Sequence, residues 1–314
     1  MFERTNQDAG RSRPTWVALI MLGLFLLSVG IAWWISFDRE HLVREGVRIV
    51  AQIHKSKLES FWHGQEQSFY LIGENQRNIG WRADLRVPRQ DGGFDGLLVE
   101  AIGAGGRQQL HVRTWQLNSA ATQGVCQAAW LQGAEPKIYM DKGYLVEQSP
   151  KPPHISKVEI PPNFLPEGTL TLAARLVAQA RGQAFFKSIY VSNSGPREAE
   201  GSQLNNIGLT NLIYKGQETL HEGGKPVLAD VVEVRLGILG KERTETLYLA
   251  PEGHVLLITT PDQTFTPTTL ADLVKFDPNA LRTIQEEAED FDFHPNVFKP
   301  LLPSPKETPP EDPF

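Results

Sequence analysis

Cysteine is almost absent. The chain of 314 residues has one, Cys126, so no internal disulfide can form and a stapled secreted scaffold is excluded. Excess positive charge is also lacking. Thirty-one Lys and Arg stand against 37 Asp and Glu, a net charge of −6, which argues against a nucleic-acid partner. No Asn-x-Ser/Thr sequon occurs, so nothing marks a glycosylated ectodomain. The eight histidines are scattered, with no HExxH and no pair at ligand spacing on a helix, so no metal site is expected. Residues 103–106, Gly-Ala-Gly-Gly, follow a strand-like run, but a second strand-like run follows them. Without a helix N-terminus they make a hairpin, not a phosphate loop. Ser192 and Ser194 lack the glycines of a nucleophile elbow. Cys126 sits in a strand-like run with no sequence-adjacent base. Asp84, Glu100, Asp230 and Glu233 fall at alternate strand positions, where a solvent-facing charge is expected. No catalytic residue, cofactor site or metal site is therefore assigned, and the chain is not expected to be an enzyme.

Charge is missing altogether from residues 16–37, WVALIMLGLFLLSVGIAWWISF. At 1.5 Å per residue these 22 residues span about 33 Å, against about 30 Å for a hydrocarbon core. Trp16 at one end and Trp33 and Trp34 at the other sit where an interfacial belt would place them. A cleaved signal peptide is the competing reading. Small-residue sites exist around Gly30, but the apolar run continues past them through Trp33 and Trp34, which favours an uncleaved anchor. Basic residues nearly balance across the segment, with Arg4, Arg11 and Arg13 before it and Arg39, Arg44 and Arg48 after it. A short leading tail and a long following domain then favour the N-in orientation. The expectation is a single-pass protein of a bacterial inner membrane, with its C-terminal domain in the periplasm.

The expected organisation has five parts. Residues 1–15 form a cytoplasmic tail and 16–37 the transmembrane helix. Residues 38–63, with Val43, Val47, Val50, Leu58 and Phe61 at helical spacing, form a stalk or packing helix. Residues 64–290 make a β-rich extracytoplasmic domain. Residues 291–314 are an acidic, proline-rich tail expected to be disordered, with seven prolines in the last twenty positions. From residue 284 to the end, eight carboxylates face two lysines, a deficit equal to that of the whole chain.

Within the domain, strand-like runs cover 68–73, 78–87, 96–102, 107–117, 122–131, 137–140 and 144–148. Residues 81–87 and 111–117 alternate strictly, which gives each one wet and one buried face. A proline-rich crossing over 150–166 leads to a helix at 169–180. Further strands are expected at 184–191, 207–214, 226–236, 244–250 and 254–260, and short helices at 268–276 and 279–288. The fold class is thus mainly β with few helices (α+β), an antiparallel meander interrupted by a crossing helix. The aromatics Trp81, Trp115, Trp130, Tyr139, Phe185, Tyr190 and Tyr248 all fall on these strands, as core or as the lining of an apolar groove.

The order of elements resembles that of half-barrel proteins related to the periplasmic lipoprotein carriers of the LolA/LolB type. The stretches that carry the resemblance are 69–73 with 78–81, 115–119, 170–180, and the strand–turn–strand at 245–256. It implies a strongly curved antiparallel sheet crossed by a helix on its concave side, over about residues 68–262. The anchor and tail depart from a soluble carrier and favour a fixed accessory role. The implied function is a membrane-anchored envelope protein whose curved sheet holds an apolar, lipid-like ligand or a segment of an envelope protein partner. The alternatives are a scaffold subunit of an envelope complex and, less favoured, a hydrolase or transferase.

Overall fold

The structure, a computed structural model, describes residues 14–62, 65–103, 109–130, 137–150, 153–166, 168–189, 207–222, 224–238 and 241–290. A single helix, α1 (Pro14–Ser56), opens the chain, and a 3-10 turn, Leu58–Ser60, follows it. Eight strands come next: β1 (Glu66–Glu74), β2 (Arg77–Pro88), β3 (Phe94–Ile102), β4 (Gln109–Leu117), β5 (Gly124–Trp130), β6 (Lys137–Asp141), β7 (Tyr144–Pro150) and β8 (Pro153–Glu159). Helix α2 (Leu170–Ala180) separates them from β9 (Gln183–Ile189), β10 (Ile207–Glu222), β11 (Lys225–Ile238), β12 (Lys241–Leu249), β13 (Val255–Thr259) and β14 (Thr264–Thr268). Two helices, α3 (Leu270–Phe276) and α4 (Ala280–Asp290), complete the described chain.

All fourteen strands join one antiparallel sheet in the order β8-β7-β6-β5-β4-β3-β2-β1-β14-β13-β12-β11-β10-β9. The two meanders meet at a seam where Phe69 stands opposite Thr268 and Gly73 opposite Thr264. The sheet is curved. One contiguous apolar cluster takes Trp115 and Leu117 from β4, Ile138 and Leu145 from β6 and β7, and Phe186, Leu212 and Val234 from β9 to β11. Side chains from distant positions in the strand order meet only if the sheet curls around them.

Helices fill that concave side. Helix α2 buries Leu172, Ala173, Ala174, Leu176, Val177 and Ala178 against it, three of them alanines that let the helix approach the sheet. The second half of α1 joins the same cluster through Ile49, Val50 and Ile53, and Leu58 and Trp62 follow. Gly46 marks the closest approach, because a Cβ there would overlap the Phe185 carbonyl oxygen of β9. Residues from Leu42 onward therefore belong to the same folded unit as the strands.

The sheet stays open between β8 and β9, but its β9 edge is covered. Lys187 donates its backbone N–H to Asn163 O at 2.9 Å, Leu165 donates back to Lys187 O at 2.7 Å, and the Asn163 side chain donates to Phe185 O at 3.1 Å. Covering these edge groups removes a template for pairing with another chain. The outer face carries a second core over β1 to β4. There Phe69, Trp81, Leu85, Leu97 and Val99 pack under Leu273, Ala280, Ile284 and Ala288 of α3 and α4.

Differences from the sequence expectation have local causes. The crossing over 150–166 contains strand β8, whose prolines stand at its first position and beyond its end, where no ladder donor is lost. Strand β10 runs on to Glu222 because a register shift between Tyr214 and Gly216, with Gly216 at φ +116°, absorbs the break in alternation. Strand β14 replaces the expected start of a helix at 268. The helix begins after Thr269, whose hydroxyl accepts the Asp272 backbone N–H at 3.1 Å.

Candidate functional site

The aromatics expected to line one groove do not share a face. Trp115 points inward with Leu117. Trp81 points outward, fully buried under α3 and α4, where its Nε1 donates to Asp277 Oδ2 at 2.8 Å. Tyr139 alternates with the inward Ile138 and Met140, Phe185 with Ala184 and Phe186, and Tyr248 with Leu247 and Leu249, so all three take the outer side. Tyr248 packs there against Ala229, Ala250 and Leu256. Trp130 stands opposite His111 in the β4–β5 register, with its side chain outside the described residues, and Tyr190 lies wholly outside them. The alternation read over 81–87 and 111–117 is present in β2 and β4, with Trp81 on the outer face and Trp115 on the inner one.

Among the described residues, the cavity found on the concave side is small. The cavity bounded by Trp115, Cys126, Ile138, Met140, Leu145 and Phe164 measures about 20 Å³, the space of a single water. The chain's own helices occupy the place a ligand would take. Cys126, which is in no disulfide, lines this cavity. Among the described residues no group of three or more His, Cys, Asp and Glu side chains is arranged to hold a metal ion.

Two sites missed by sequence reasoning stand out instead. The first is a charged array on the inner face of β1 to β4. Tyr70, Arg82, Glu100 and His111 stand side by side across the four strands, with Asp84 and Arg113 in the next row. Asp84 accepts from Arg82 Nε at 3.0 Å and Nη2 at 2.8 Å, and His111 Nδ1 lies 3.7 Å from Glu100 Oε1. Glu100 is 8 % exposed, so the expected solvent-facing carboxylate is in fact buried. Burial alone would raise its pKa. The nearby His111 imidazole and the Arg82 and Arg113 charges outweigh it and hold the carboxyl below the usual range. Burial first, and then Asp84, push the Tyr70 hydroxyl up to about 12. The signal was the shared phase of Arg82, Asp84 and Arg86 with His111 and Arg113. It was misread because the apolar phase of these strands packs outward, beneath α3 and α4.

The array grades into the apolar interior through Arg86. Its guanidinium pairs with Glu66 and lies 4.0 Å from the Trp62 ring centroid, a cation–π contact. Burial lowers its pKa to about 10.

The second site is a groove of about 480 Å³ where α1 enters the domain. Helix α1 supplies His41, Leu42, Glu45, Arg48 and Ile49 to one wall. The end of α2 gives Val177 and Arg181, and β10 gives Ile213 and Tyr214. Arg48 Nε bonds Glu45 Oε2 at 2.8 Å. The Tyr214 hydroxyl donates to Asp230 Oδ1 at 3.3 Å.

Below the groove α1 changes character without a break. From Leu19 to Phe37 its described side chains are exposed, including Trp33, which stacks on Phe37 at 5.7 Å. Trp16 is 76 % exposed, and the Trp34 side chain lies outside the described residues. This is the one helix among the described residues long and apolar enough to cross a membrane.

No protein-family model matches the chain, and neither does any curated protein. Among solved structures it is similar to a beta-barrel-like protein of a domain of unknown function, DUF1849, from Brucella abortus. The TM-score is 0.46 at 10% identity, over 65% of this chain and 95% of that one. It is also similar to a domain described as an outer membrane lipoprotein-sorting protein from Vibrio parahaemolyticus. There the TM-score is 0.16 at 9% identity, over 74% of this chain and 97% of that one.

Proposed function

We propose that this chain is a non-enzymatic binding protein fixed to a bacterial inner membrane, with the half-barrel on the periplasmic side against the bilayer surface. One observation carries the reading. The helix that exposes apolar side chains from Leu19 to Phe37 is the same helix that buries Ile49, Val50 and Ile53 in the core. So large an exposed apolar surface needs a lipid or protein cover. A continuous helix then holds the domain at a set height and angle, which suits a stationary accessory role better than shuttling.

An apolar ligand inside the curved sheet is not part of this proposal, because α1 and α2 fill that side. The charged array on β1 to β4 supports a polar rather than an acyl contact there. Binding of a lipid-like ligand is assigned instead to the groove at the foot of the domain. Carbonate extraction of cell membranes tests the anchoring. The chain is expected to stay in the membrane pellet, and release into the soluble fraction would overturn the reading.

A further inference from the structure

We infer that the groove between α1, the end of α2 and β10 holds the phosphodiester headgroup of a phospholipid drawn from the bilayer in which α1 sits. The inference deepens the anchored reading and rests on it. Position is the first argument. His41 lies four residues beyond Phe37 and Arg48 eleven, so they stand at most about 6 Å and about 17 Å above the end of the apolar run. The headgroup layer on one side of a bilayer is about 5–8 Å thick. The lower wall of the groove therefore stands at headgroup height.

Chemistry is the second argument. Leu42 and Ile213 give the groove apolar wall for the glycerol end of a lipid, and its volume of about 480 Å³ suits a headgroup. The charges are unequal. Glu45 is paired with Arg48, and Asp230 accepts from Tyr214 and Gln217. Arg181 is exposed and makes no side-chain hydrogen bond or ion pair among the described residues. A guanidinium matches a phosphodiester in charge and in its parallel donors.

The backbone at Arg181 is the third. It occupies the left-handed position that ends α2, at φ 48° and ψ 40°. Glycine is the favoured residue there, and a side chain carries a conformational cost. The chain keeps a long cation at that place with Gly182 beside it. The α2 C-terminus favours a cation, but only by a small amount at an exposed site.

That strain makes the test clean, because Arg181→Gly relieves it. The full chain, purified in non-ionic detergent, is incubated with phosphatidylethanolamine or with diacylglycerol, and retained lipid is read by native mass spectrometry. The wild-type chain is expected to retain phosphatidylethanolamine in preference to diacylglycerol. Arg181→Gly is expected to retain about tenfold less, the value of one charge-assisted hydrogen bond, while melting no lower than wild type. Should it melt lower, Arg181→Gln carries the same comparison. Equal retention of the two lipids, or undiminished retention by the variants, overturns the inference. Retention of inorganic phosphate by a chain that retains neither lipid makes a free anion the occupant and overturns it too. A chain that carbonate extraction leaves in the membrane, but that shows no lipid preference, refutes the groove and spares the anchoring.

Discussion

Glu100 lies between the His111 imidazole of the next strand and the guanidinium charges of Arg82 and Arg113. Its pKa is depressed in the folded chain. It therefore binds its proton more weakly there than in the unfolded chain, and it contributes stability above the unfolded value near 4.5. That contribution is lost as pH falls through the folded value. Thermal melts of wild type and Glu100→Gln are expected to lie furthest apart at neutral pH and to converge below pH about 4.5. A constant gap across that window would remove the role assigned to the array. At Gly46 the prediction is steric. Gly46→Val forces a side chain into the Phe185 carbonyl and is expected to cost about 2–3 kcal/mol, read as a lowered melting temperature. Neither residue was legible beforehand. Alternation along β2 and β4 revealed two faces, but residues 81–87 alone do not say which face the sheet will curl around. The decisive residues, Leu273, Ala280 and Ile284, are some 200 positions away. Nothing in the sequence around Gly46 points to Phe185, 139 positions away.

At the scale of elements, α1 is one continuous helix over two stretches that the sequence shows as different patterns, a charge-free run and then an amphipathic one. Its first part was legible as a helix long and apolar enough to cross a membrane, because residues 16–37 carry no charge. Its second part was legible as a helix, whereas the choice between a free stalk and a packed helix depended on partners far along the chain. The difference is measurable. A chain starting at residue 38 keeps Leu42, Ile49, Val50 and Ile53 and is expected to fold, with a sigmoidal melt by circular dichroism. A chain starting at residue 57 loses all four. Each is worth about 1.5–3 kcal/mol, so the loss is about 6–12 kcal/mol, comparable with the stability of a whole domain. No cooperative melt is expected from it, and a normal melt would show the helix to be dispensable. The strands were largely visible because their turns are marked, as at Asn75-Gln76 and residues 251–253. Those that escaped, β8 and β14, are set by pairing partners rather than by their own composition.

Taken whole, the molecule is two meanders joined along a single line. Every ladder except that between β1 and β14 links strands consecutive in the chain. The hydrophobic pattern of each meander could be read locally, but nothing local in Phe69 points to Thr268. Trp81 and Trp115 are sorted differently, within the first meander: the register of β2, β3 and β4 sets Trp115 in line with Gly96 and Arg86, and Trp81 in line with Ala101 and Leu110 on the opposite face.

That seam also sets an order of events during synthesis. Phe69 and Thr268 are 199 residues apart, so at about 5–20 residues per second β14 leaves the ribosome some 10–40 s after β1. During that interval β1 has β2 on one side and a bare row of amides and carbonyls on the other. The finished protein hides that edge in the middle of its sheet. The nascent chain carries it open, which makes β1 the place where a holdase would engage or where two unfinished copies would join.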